Sequence, residues 1–274
     1  MPKIAIQGIH GCFHEMAARK HFGESIDVLE CQSFKSLCFE LENKQCDFAV
    51  MAIENTLAGS LLPNYSLIRR FGFYVVGEVY LHIKMNLMAK PGVEIKDINS
   101  VMSHPVALAQ CEEYLETLPH IEVKEYHDTA AAAKWVSDHE NNDVAAISNE
   151  LSAELYSLNI LERGIETHKK NFTRFLVLSR DKMEIEGANK ASLSLEVSHT
   201  PGSLADVLTI FKDFKVNLTK IQSIPIIGKP YQYAFKIDVT WDNKENYLQA
   251  LEKIDKTDNN IRVLGIYKGQ NFEN

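Results

Sequence analysis

Short apolar runs alternate with amphipathic segments over the first 180 residues of the chain. The apolar runs are candidate strands, and they cover 4–7, 26–30, 48–53, 73–89, 100–102, 123–126, 144–147 and 172–179. Between them, apolar residues recur at helical spacing, and these candidate helices cover 13–21, 34–42, 62–70, 106–118, 130–139 and 150–156. Such alternation predicts an α/β fold with helices on the faces of a sheet. The many strands and the long central run predict two lobes, with a crossover near 75–90 and a return near 160–175.

The pattern changes after residue 180, where a charged stretch at 183–190 predicts a linker. Beyond it, the apolar positions predict a strand, a helix, two strands, a second helix and a last strand. The turn signal Gly228-Lys229-Pro230 separates the two middle strands. This βαββαβ order is the ferredoxin-like unit. The predicted organisation is therefore an α/β domain at 1–182, a linker at 183–190 and a second domain at 191–274.

Composition and charge narrow the functional classes. The net charge of −8 argues against a nucleic-acid-binding protein, which would carry a basic stripe. An anionic ligand would have to be attracted by local positive groups. No apolar run approaches the roughly 18 residues that a membrane span needs, and the start at Met1 lacks the apolar segment of a signal peptide. We therefore expect a cytoplasmic protein without membrane contact.

The cysteines and histidines do not predict a metal or a covalent site. The five cysteines include no CxxC pair, so neither a disulfide framework nor a zinc site is indicated. His10, His14 and His104 show no metal-ligand pairing. Cys12 lies near a predicted helix start, which can lower a thiol pKa, but the sequence offers it no evident His or Asn partner. We expect no metal and no cofactor.

Polar residues follow the ends of four predicted strands, and each polar segment leads into a helix. These segments begin at Gly8, Glu54, Ser103 and His127. In open α/β sheets, ligands bind outside the carboxyl ends of the strands, and helix N-termini there favour anions. Alone, each segment also suits a tight turn or a helix cap. Together they predict a cleft for a small carboxylate-bearing molecule.

The pentapeptide Asn171-Phe172-Thr173-Arg174-Phe175 enters the last apolar run of this region. Arg174 offers a bidentate fork that suits a carboxylate. Thr173 offers one hydroxyl that can donate or accept a hydrogen bond. A strand-edge Thr-Arg pair is also compatible with a structural role, and the other polar segments favour the functional interpretation.

At this point the chain resembles the prephenate dehydratases, in the monofunctional form with a C-terminal ACT regulatory domain. The resemblance covers essentially the whole chain and is most specific in four segments: Ile53-Glu54-Asn55, 103–111, Asp128-Thr129-Ala130 and 171–175. It implies two α/β lobes of periplasmic-binding-protein type with the site in the crevice between them. The implied reaction is decarboxylating dehydration of prephenate to phenylpyruvate, without a cofactor, in phenylalanine biosynthesis. Because no helical segment precedes Ile4, we expect no fused chorismate mutase domain.

The resemblance also implies roles for individual residues. Thr173 would donate a proton or a hydrogen bond to the leaving hydroxyl. Substrate-binding residues would be Arg174, Asn55, Ser103, Gln110 and Thr129. The chain departs from its relatives in the glycine-rich segment, where they usually carry Ser or Thr in place of Cys12 and often Ser in place of His14. A hydroxyl role of this segment therefore does not carry over to this chain from the resemblance.

In the second domain, the resemblance implies a phenylalanine effector site at the interface of two ACT domains, and hence a homodimer or homotetramer. The implied effector-binding residues are Gly202, Ser203, Leu204, Asn217, Leu218, Gln222 and Ser223. A Glu-Ser-Arg-Pro motif of the family is Gln222-Ser223-Ile224-Pro225 in this chain. One charge of each sign is lost together, which can be nearly neutral for stability.

Three other interpretations stay open at the level of sequence. The same chemistry on arogenate, which carries an amine where prephenate has a keto group, is the closest. A non-catalytic amino-acid sensor would bind either molecule without turnover. A structural protein that assembles through its ACT domain would leave the polar strand ends without a role. Assays with both substrates discriminate the first two.

Overall fold

The computed structural model describes residues 1–198, 200–226, 228 and 233–270. The strands within these ranges are β1 Lys3–Gln7, β2 Asp27–Cys31, β3 Phe48–Asn55, β4 Gly59–Ser60, β5 Tyr74–His82, β6 Asn86–Ala89, β7 Ser100–Ser103, β8 Glu122–Glu125, β9 Val144–Ser148, β10 Asn159–Glu162, β11 Phe172–Ser179, β12 Lys190–Glu196, β13 Asn217–Pro225, β14 Tyr233–Thr240 and β15 Asn260–Tyr267.

The α-helices of the described residues are α1 Phe13–Phe22, α2 Phe34–Glu42, α3 Leu62–Phe71, α4 Pro105–Gln110, α5 Glu112–Glu116, α6 Thr129–Asp138, α7 Glu150–Leu155, α8 Ser203–Asp213 and α9 Lys244–Asp255. A short 3₁₀ helix covers Ile95–Asp97. None of these helices combines the length and apolarity needed to cross a membrane.

The first sheet has the strand order β2-β1-β3-β11-β5, and β4 pairs with β3. Strand β1 pairs in parallel with both β2 and β3. Parallel strands covered on both faces consist of continuous apolar residues, and Ile4, Ile6, Val50 and Ile53 are accordingly fully buried. The carboxyl ends of β1 and β3 therefore open at one edge of a rigid, apolar sheet.

The second sheet has the order β10-β6-β9-β7-β8. Its central strands β7 and β9 are parallel, and the chain reaches it after β5 and leaves it after β10. Helix α6 packs on it through a run of alanines, Ala130–Ala133, whose small side chains are all buried. The two sheets give the mixed α/β architecture that the sequence predicts. Strands β4 and β10 were not among the predicted elements.

The single helix predicted at 106–118 is wrong, since α4 and α5 are separated at Cys111. The Cys111 N–H donates to the Leu108 carbonyl, three residues back, and not to the residue four back as in an α-helix. The Gln110 carbonyl accepts instead from the distant Thr167 N–H at 2.8 Å. This tertiary contact interrupts the helical ladder, so local sequence preference does not decide the outcome.

The long apolar run at 73–89 is broken into β5 and β6, in agreement with the expected crossover. The Ile83 N–H bonds to the Asn171 carbonyl at 2.8 Å. The Met85 N–H bonds to the buried Glu166 carboxylate at 2.8 Å. Because residues 83–85 bond to the chain that returns to the first sheet, they belong to neither sheet.

The third sheet has the order β13-β14-β12-β15 with antiparallel pairs throughout, and it belongs to a βαββαβ unit. Helices α8 and α9 cover one face through buried Val207, Phe211 and Tyr247. Strand β12 begins at Lys190, so the last residue of the predicted linker is part of the sheet. Of the predicted turn, Lys229 and Pro230 lie outside the described residues.

The chain divides into two compact units. The first joins Met1–Leu67 to Val79–Phe175, and the second joins Ile68–Glu78 to the chain from Leu176 onward. These limits do not coincide with the predicted boundary at 182. The difference arises because Ile68–Glu78 packs with the third sheet, which is distant in sequence. In one such contact, the Lys190 ammonium lies 2.8 Å from the Glu78 carboxylate.

Candidate functional site

A cavity of about 300 Å³ lies within the first unit, where the two sheets contribute residues to one lining. Asn55 and Thr173 reach it from the first sheet, at the end of β3 and the start of β11. Gln110 and Thr129 reach it from α4 and α6 beside the second sheet. Four of the six predicted catalytic and substrate-binding residues therefore meet in one cavity.

Strands β3 and β11 are joined at the cavity edge by hydrogen bonds of the Thr56 backbone and side chain. The Thr56 N–H donates to the Phe172 carbonyl at 2.9 Å, and the Phe172 N–H donates to Thr56 Oγ1 at 2.9 Å. The Thr56 hydroxyl in turn donates to the Lys170 carbonyl at 3.1 Å. These bonds fix the position of Asn55 relative to Thr173.

The amide of Asn55 can be oriented from its hydrogen bonds. Its Oδ1 accepts the Leu57 and Ala58 N–H groups, each at 2.9 Å, so Nδ2 is the donor. Nδ2 donates to Asn171 Oδ1 at 2.8 Å and to Thr173 Oγ1 at 3.0 Å. Because Thr173 accepts this bond, its own hydroxyl proton remains available to donate.

Asn171 extends the chain of hydrogen bonds to the second lobe. It is fully buried, and its Nδ2 donates to Gln110 Oε1 at 2.9 Å. The Gln110 amide thus keeps its Nε2 protons for a ligand. No site role was predicted for Asn171, although it lies two residues before Thr173. Residues i and i+2 of an extended chain share a face, and this spacing is the signal that could have identified it.

Arg174 does not join this cavity. Neighbouring strand residues point to opposite faces, and Thr173 and Phe175 line the cavity. The Arg174 side chain is only 2% exposed, and its guanidinium carbon lies 5.7 Å from the centroid of the Tyr80 ring. The geometry therefore argues against the expected contact between Arg174 and a ligand carboxylate in this cavity.

Ser103 is also absent from the lining. It is fully buried, and its hydroxyl donates to the Ile147 carbonyl at 2.6 Å, which ties β7 to β9. Thr129 does line the cavity as the first residue of α6. The preceding Asp128 caps that helix, since its Oδ1 accepts the Ala131 N–H at 2.9 Å.

The glycine-rich segment after β1 forms a tight turn for which glycine is needed at two places. Gly8 and Gly11 have φ values of +113° and +86°, which side chains with a Cβ rarely adopt. A Cβ at Gly8 would lie 3.0 Å from Cys12 Sγ and 3.4 Å from Asp128 Oδ2. The turn brings the start of α1 close to the start of α6.

Helix α7, which belongs to the second lobe, holds this turn from outside. Asn149 Nδ2 and the Ser152 hydroxyl both donate to the Gly11 carbonyl, at 2.7 and 2.9 Å. The Tyr156 hydroxyl donates to the His10 carbonyl at 2.6 Å. The two lobes are thus linked by hydrogen bonds beside the cavity, a feature that the sequence did not predict.

Cys12 and His14 both line the cavity, and burial keeps both uncharged. Burial raises the pKa of the Cys12 thiol far above its ordinary value, so no thiolate forms near neutral pH. Burial lowers the pKa of His14 to about 3. A nucleophilic Cys12 is therefore disfavoured, and His14 is a neutral imidazole at working pH.

The cavity lining within the described residues contains no Lys or Arg. Helices α1 and α6 instead direct their first turns at it, through Phe13 and Thr129. The partial positive charge of helix N-termini favours an anion, whereas the carboxylate of Asp128 in the same lining opposes one. The site can hold a small anion through neutral donors and helix ends.

A second cavity, of about 500 Å³, lies in the second unit. Gly202, Ser203 and Leu204 line it at the start of α8, together with Tyr233 and Phe235 of β14. The other predicted effector residues lie on β13 and do not line this cavity: Asn217, Leu218, Gln222 and Ser223. In the part of the chain that the structure describes, no group of three or more His, Cys, Asp or Glu side chains is arranged to hold a metal ion.

Comparison with known proteins matches residues 4–183 to the family model described as prephenate dehydratase. The chain is 36% identical over 278 residues to arogenate dehydratase/prephenate dehydratase 2 of Arabidopsis thaliana, covering 97% of this chain and 72% of the relative.

Two solved structures resemble the whole chain. GqqA, described as a novel type of quorum quenching acylase, has a TM-score of 0.87 at 27% identity and covers 98% of this chain and 99% of its own. A prephenate dehydratase from Arthrobacter aurescens in complex with L-Phe has a TM-score of 0.80 at 26% identity. The match covers 97% of this chain and 90% of the Arthrobacter chain.

Proposed function

The chain belongs to the prephenate dehydratase family, and on that premise we propose that it converts prephenate into phenylpyruvate, carbon dioxide and water on the route to phenylalanine. The observation that carries the assignment to this cavity is the directed chain of hydrogen bonds from Thr173 through Asn55 and Asn171 to Gln110. Its two ends leave donors for a ligand, a hydroxyl at Thr173 and an amide at Gln110.

The chemistry of prephenate suits such a site. The bond between the ring and its carboxylate breaks, carbon dioxide leaves, and the bonding electrons move through the ring to expel the hydroxyl group. The departing hydroxide takes up one proton and becomes water, and the ring becomes aromatic. The protein has to hold the two leaving groups and supply that proton. A positioned proton donor typically contributes about 10²–10⁴-fold to such a step.

Thr173 is the proposed donor to the leaving hydroxyl. Its oxygen accepts from Asn55 Nδ2 at 3.0 Å, so its proton is directed away from the amide. Hydrogen bonds that are aimed before the reaction at the developing charge cost no reorganisation when it appears. A hydroxyl is a weak acid, so the proton that Thr173 passes on has to be replaced from water or from a neighbouring group.

Replacing Thr173 tests this proposal. Thr173→Ala is expected to lower kcat about 100-fold or more while KM changes by less than about 5-fold, because the contact strengthens in the transition state. Thr173→Ser keeps the hydroxyl and is the matched control, with kcat close to that of the wild type. Absorbance of phenylpyruvate formed from prephenate is the measurement. Wild-type kcat in Thr173→Ala would remove Thr173 from the mechanism.

Arogenate is the second candidate substrate, and one observation favours it. An ammonium group needs an acceptor, and the Asp128 carboxylate lines the cavity. Donors nevertheless outnumber this acceptor, because Thr173 and Gln110 both present protons. We expect a higher kcat/KM for prephenate when both are assayed. Binding of either compound without turnover would instead favour a sensor.

The second unit is proposed to be an ACT regulatory domain that binds phenylalanine. Its βαββαβ order and the cavity at Gly202, Ser203 and Leu204 support this role, as does the bound L-Phe in the Arthrobacter relative. We propose that two copies of the chain assemble around this region. Turnover measured with and without phenylalanine, together with the mass in solution, tests both statements.

A further inference from the structure

The imidazole of His14 is a polar group of the cavity that has no part in the hydrogen-bond chain described above. His14 lies in the first turn of α1 and lines the cavity. At the level of sequence it was considered only as a metal ligand and as a departure from the serine that relatives often have. Its ring lies edge-on to Phe175 with centroids 5.0 Å apart, and 5.5 Å from Phe34. The imidazole is therefore held in one place by aromatic neighbours.

The backbone of β3 fixes which ring nitrogen carries the proton. The Ala52 N–H points at His14 Nε2 at 3.3 Å. A backbone N–H can only donate, so Nε2 is the acceptor and the proton of the neutral ring is on Nδ1. This tautomer follows from the contact, as hydrogens are assigned from the network.

The proton on Nδ1 is available to a ligand. Nδ1 has no hydrogen-bond partner among the described residues, and it is not a fully enclosed polar atom. Because His14 lines the cavity, a bound molecule can reach this N–H. An oxygen of a bound ligand would give this N–H the partner that polar groups shielded from water normally have.

We propose that His14 is a substrate-binding residue, whose Nδ1–H donates a hydrogen bond to an oxygen of the bound substrate. The inference rests on the function proposed above, because prephenate supplies carboxylate, keto and hydroxyl oxygens. His14 adds a neutral donor to those of Thr173 and Gln110.

Burial holds the pKa of His14 at about 3, so the ring stays neutral when substrate binds near neutral pH. His14 therefore binds through a hydrogen bond and does not act as a general acid. A contact of this kind, formed equally in the bound substrate and in the transition state, changes KM and leaves kcat nearly unchanged.

Two substitutions separate the two ring nitrogens. The amide nitrogen of Asn occupies the place of Nδ1, and the amide oxygen of Gln reaches the place of Nε2. His14→Asn thus keeps the donor to the cavity and loses the contact with Ala52. His14→Gln keeps the contact with Ala52 and loses the donor. His14→Phe loses both and keeps the aromatic packing.

If His14 binds substrate, His14→Gln and His14→Phe raise KM for prephenate about 10-fold, and His14→Asn stays within about 3-fold of the wild type. kcat changes little in all three variants. A purely structural role gives the opposite order, with His14→Gln close to the wild type and His14→Asn impaired. That order, or an unchanged KM in all three, would overturn the proposal.

Binding measured without turnover separates this inference from the proposed function. The dissociation constant of prephenate is measured by calorimetry in the Thr173→Ala protein, with and without His14→Gln. A 10-fold weakening supports His14 as a binding residue even where the wild type shows no turnover, an outcome that would reject only the function. Wild-type turnover with equal dissociation constants rejects only the His14 inference. Absence of prephenate binding rejects both.

Discussion

At the scale of single residues, the cavity is organised by side-chain amides whose orientation is forced. Asn55 is fixed by two backbone donors, and it fixes Asn171, which fixes Gln110. Each amide therefore presents one end to its neighbour and the chain ends in donors. Because each amide is oriented by its neighbour, a change in one member is passed to the next.

Asn171→Asp tests this directional arrangement. An aspartate accepts from Asn55 but cannot donate to Gln110, so the Gln110 amide should turn and present its oxygen to the cavity. We expect KM for prephenate to rise about 10-fold or more, because an acceptor replaces a donor to an anion. Gln110→Ala, which removes the donor without adding a charge, is the control and should raise KM less. Equal KM values in wild type and Asn171→Asp would contradict the assigned orientation.

Position at a strand end or a helix start pointed to Asn55, Thr129 and Thr173, whereas Gln110, the last residue of α4, was expected only from the family resemblance. The ligand contact expected of Arg174 is not supported by the cavity lining, because adjacent strand residues point to opposite faces and Thr173 takes the face towards the cavity. The sequence missed His14, since only the contact with Ala52 in a distant strand reveals its free N–H.

At the scale of elements, β15 is shaped by a close approach of backbone. Its pairing with β12 shifts register between Ser192 and Leu193, and Gly265 lies at this irregularity. A Cβ at Gly265 would lie 1.8 Å from the Val75 carbonyl oxygen. Glycine in a strand interior often marks such an approach, but the sequence could not tell which segment approaches.

Gly265→Ala should therefore destabilise the second unit by about 2–4 kcal/mol, because backbone would have to move. Gly269→Ala is the matched control, since its Cβ would lie 3.2 Å from the Lys190 Cδ, a side-chain atom and not backbone, and it should cost less than about 1 kcal/mol. Urea unfolding of both variants provides the free energies. Equal stabilities of the two variants would show that Val75 does not constrain this position.

Lys236 is buried on the face of the third sheet opposite its helices, where its positive charge lowers the stability of the folded state. Burial lowers the pKa of Lys236 to about 8, and Arg69 and Arg262 add to this effect. Its Nζ donates to the Ser194 hydroxyl at 2.9 Å. The ordinary value of 10.5 applies to the unfolded chain, so the unfolded state binds more protons between pH 8 and 10.5, and this group makes stability rise with pH in that window.

Lys236→Met should remove this dependence. At pH 7, where the buried ammonium is charged, we expect the variant to be more stable than the wild type by about 1–3 kcal/mol. At pH 10 the gain should be smaller, because the wild-type lysine is then mostly neutral in the folded protein. Urea unfolding at the two pH values is the measurement. An equal gain in stability at pH 7 and pH 10 would contradict the loss of the Lys236 charge between these two pH values.

At the scale of the whole molecule, the two compact units are not two consecutive stretches of the sequence. The α/β region and the βαββαβ region were predicted from the alternation of apolar segments, which local periodicity determines. The assignment of Ile68–Glu78 to the second unit was not predictable, because it depends on distant pairs. Lys190 and Glu78 form such a pair, with both side chains almost fully buried.

A fragment that begins at the predicted boundary, residues 183–274, lacks Ile68–Glu78. The fragment loses both the Glu78 carboxylate that pairs with Lys190 and the backbone of Val75 that packs at Gly265. Loss of one member of a buried ion pair is strongly destabilising, so we expect this fragment to be unfolded or aggregated under conditions where the full chain is folded. Circular dichroism and gel filtration of both proteins test this. As a control, Lys190→Met in the fragment should recover part of the structure. A cooperative, monomeric fragment would show that the segment is dispensable.

The bonds from α7 to the turn at Gly11 have a consequence for how the cavity meets its ligand. Asn149, Ser152 and Tyr156 keep the two walls in register before anything binds. Little conformational freedom is left to lose on association, so binding free energy goes into contacts and not into assembly. The cavity is in this sense a preorganised receptor.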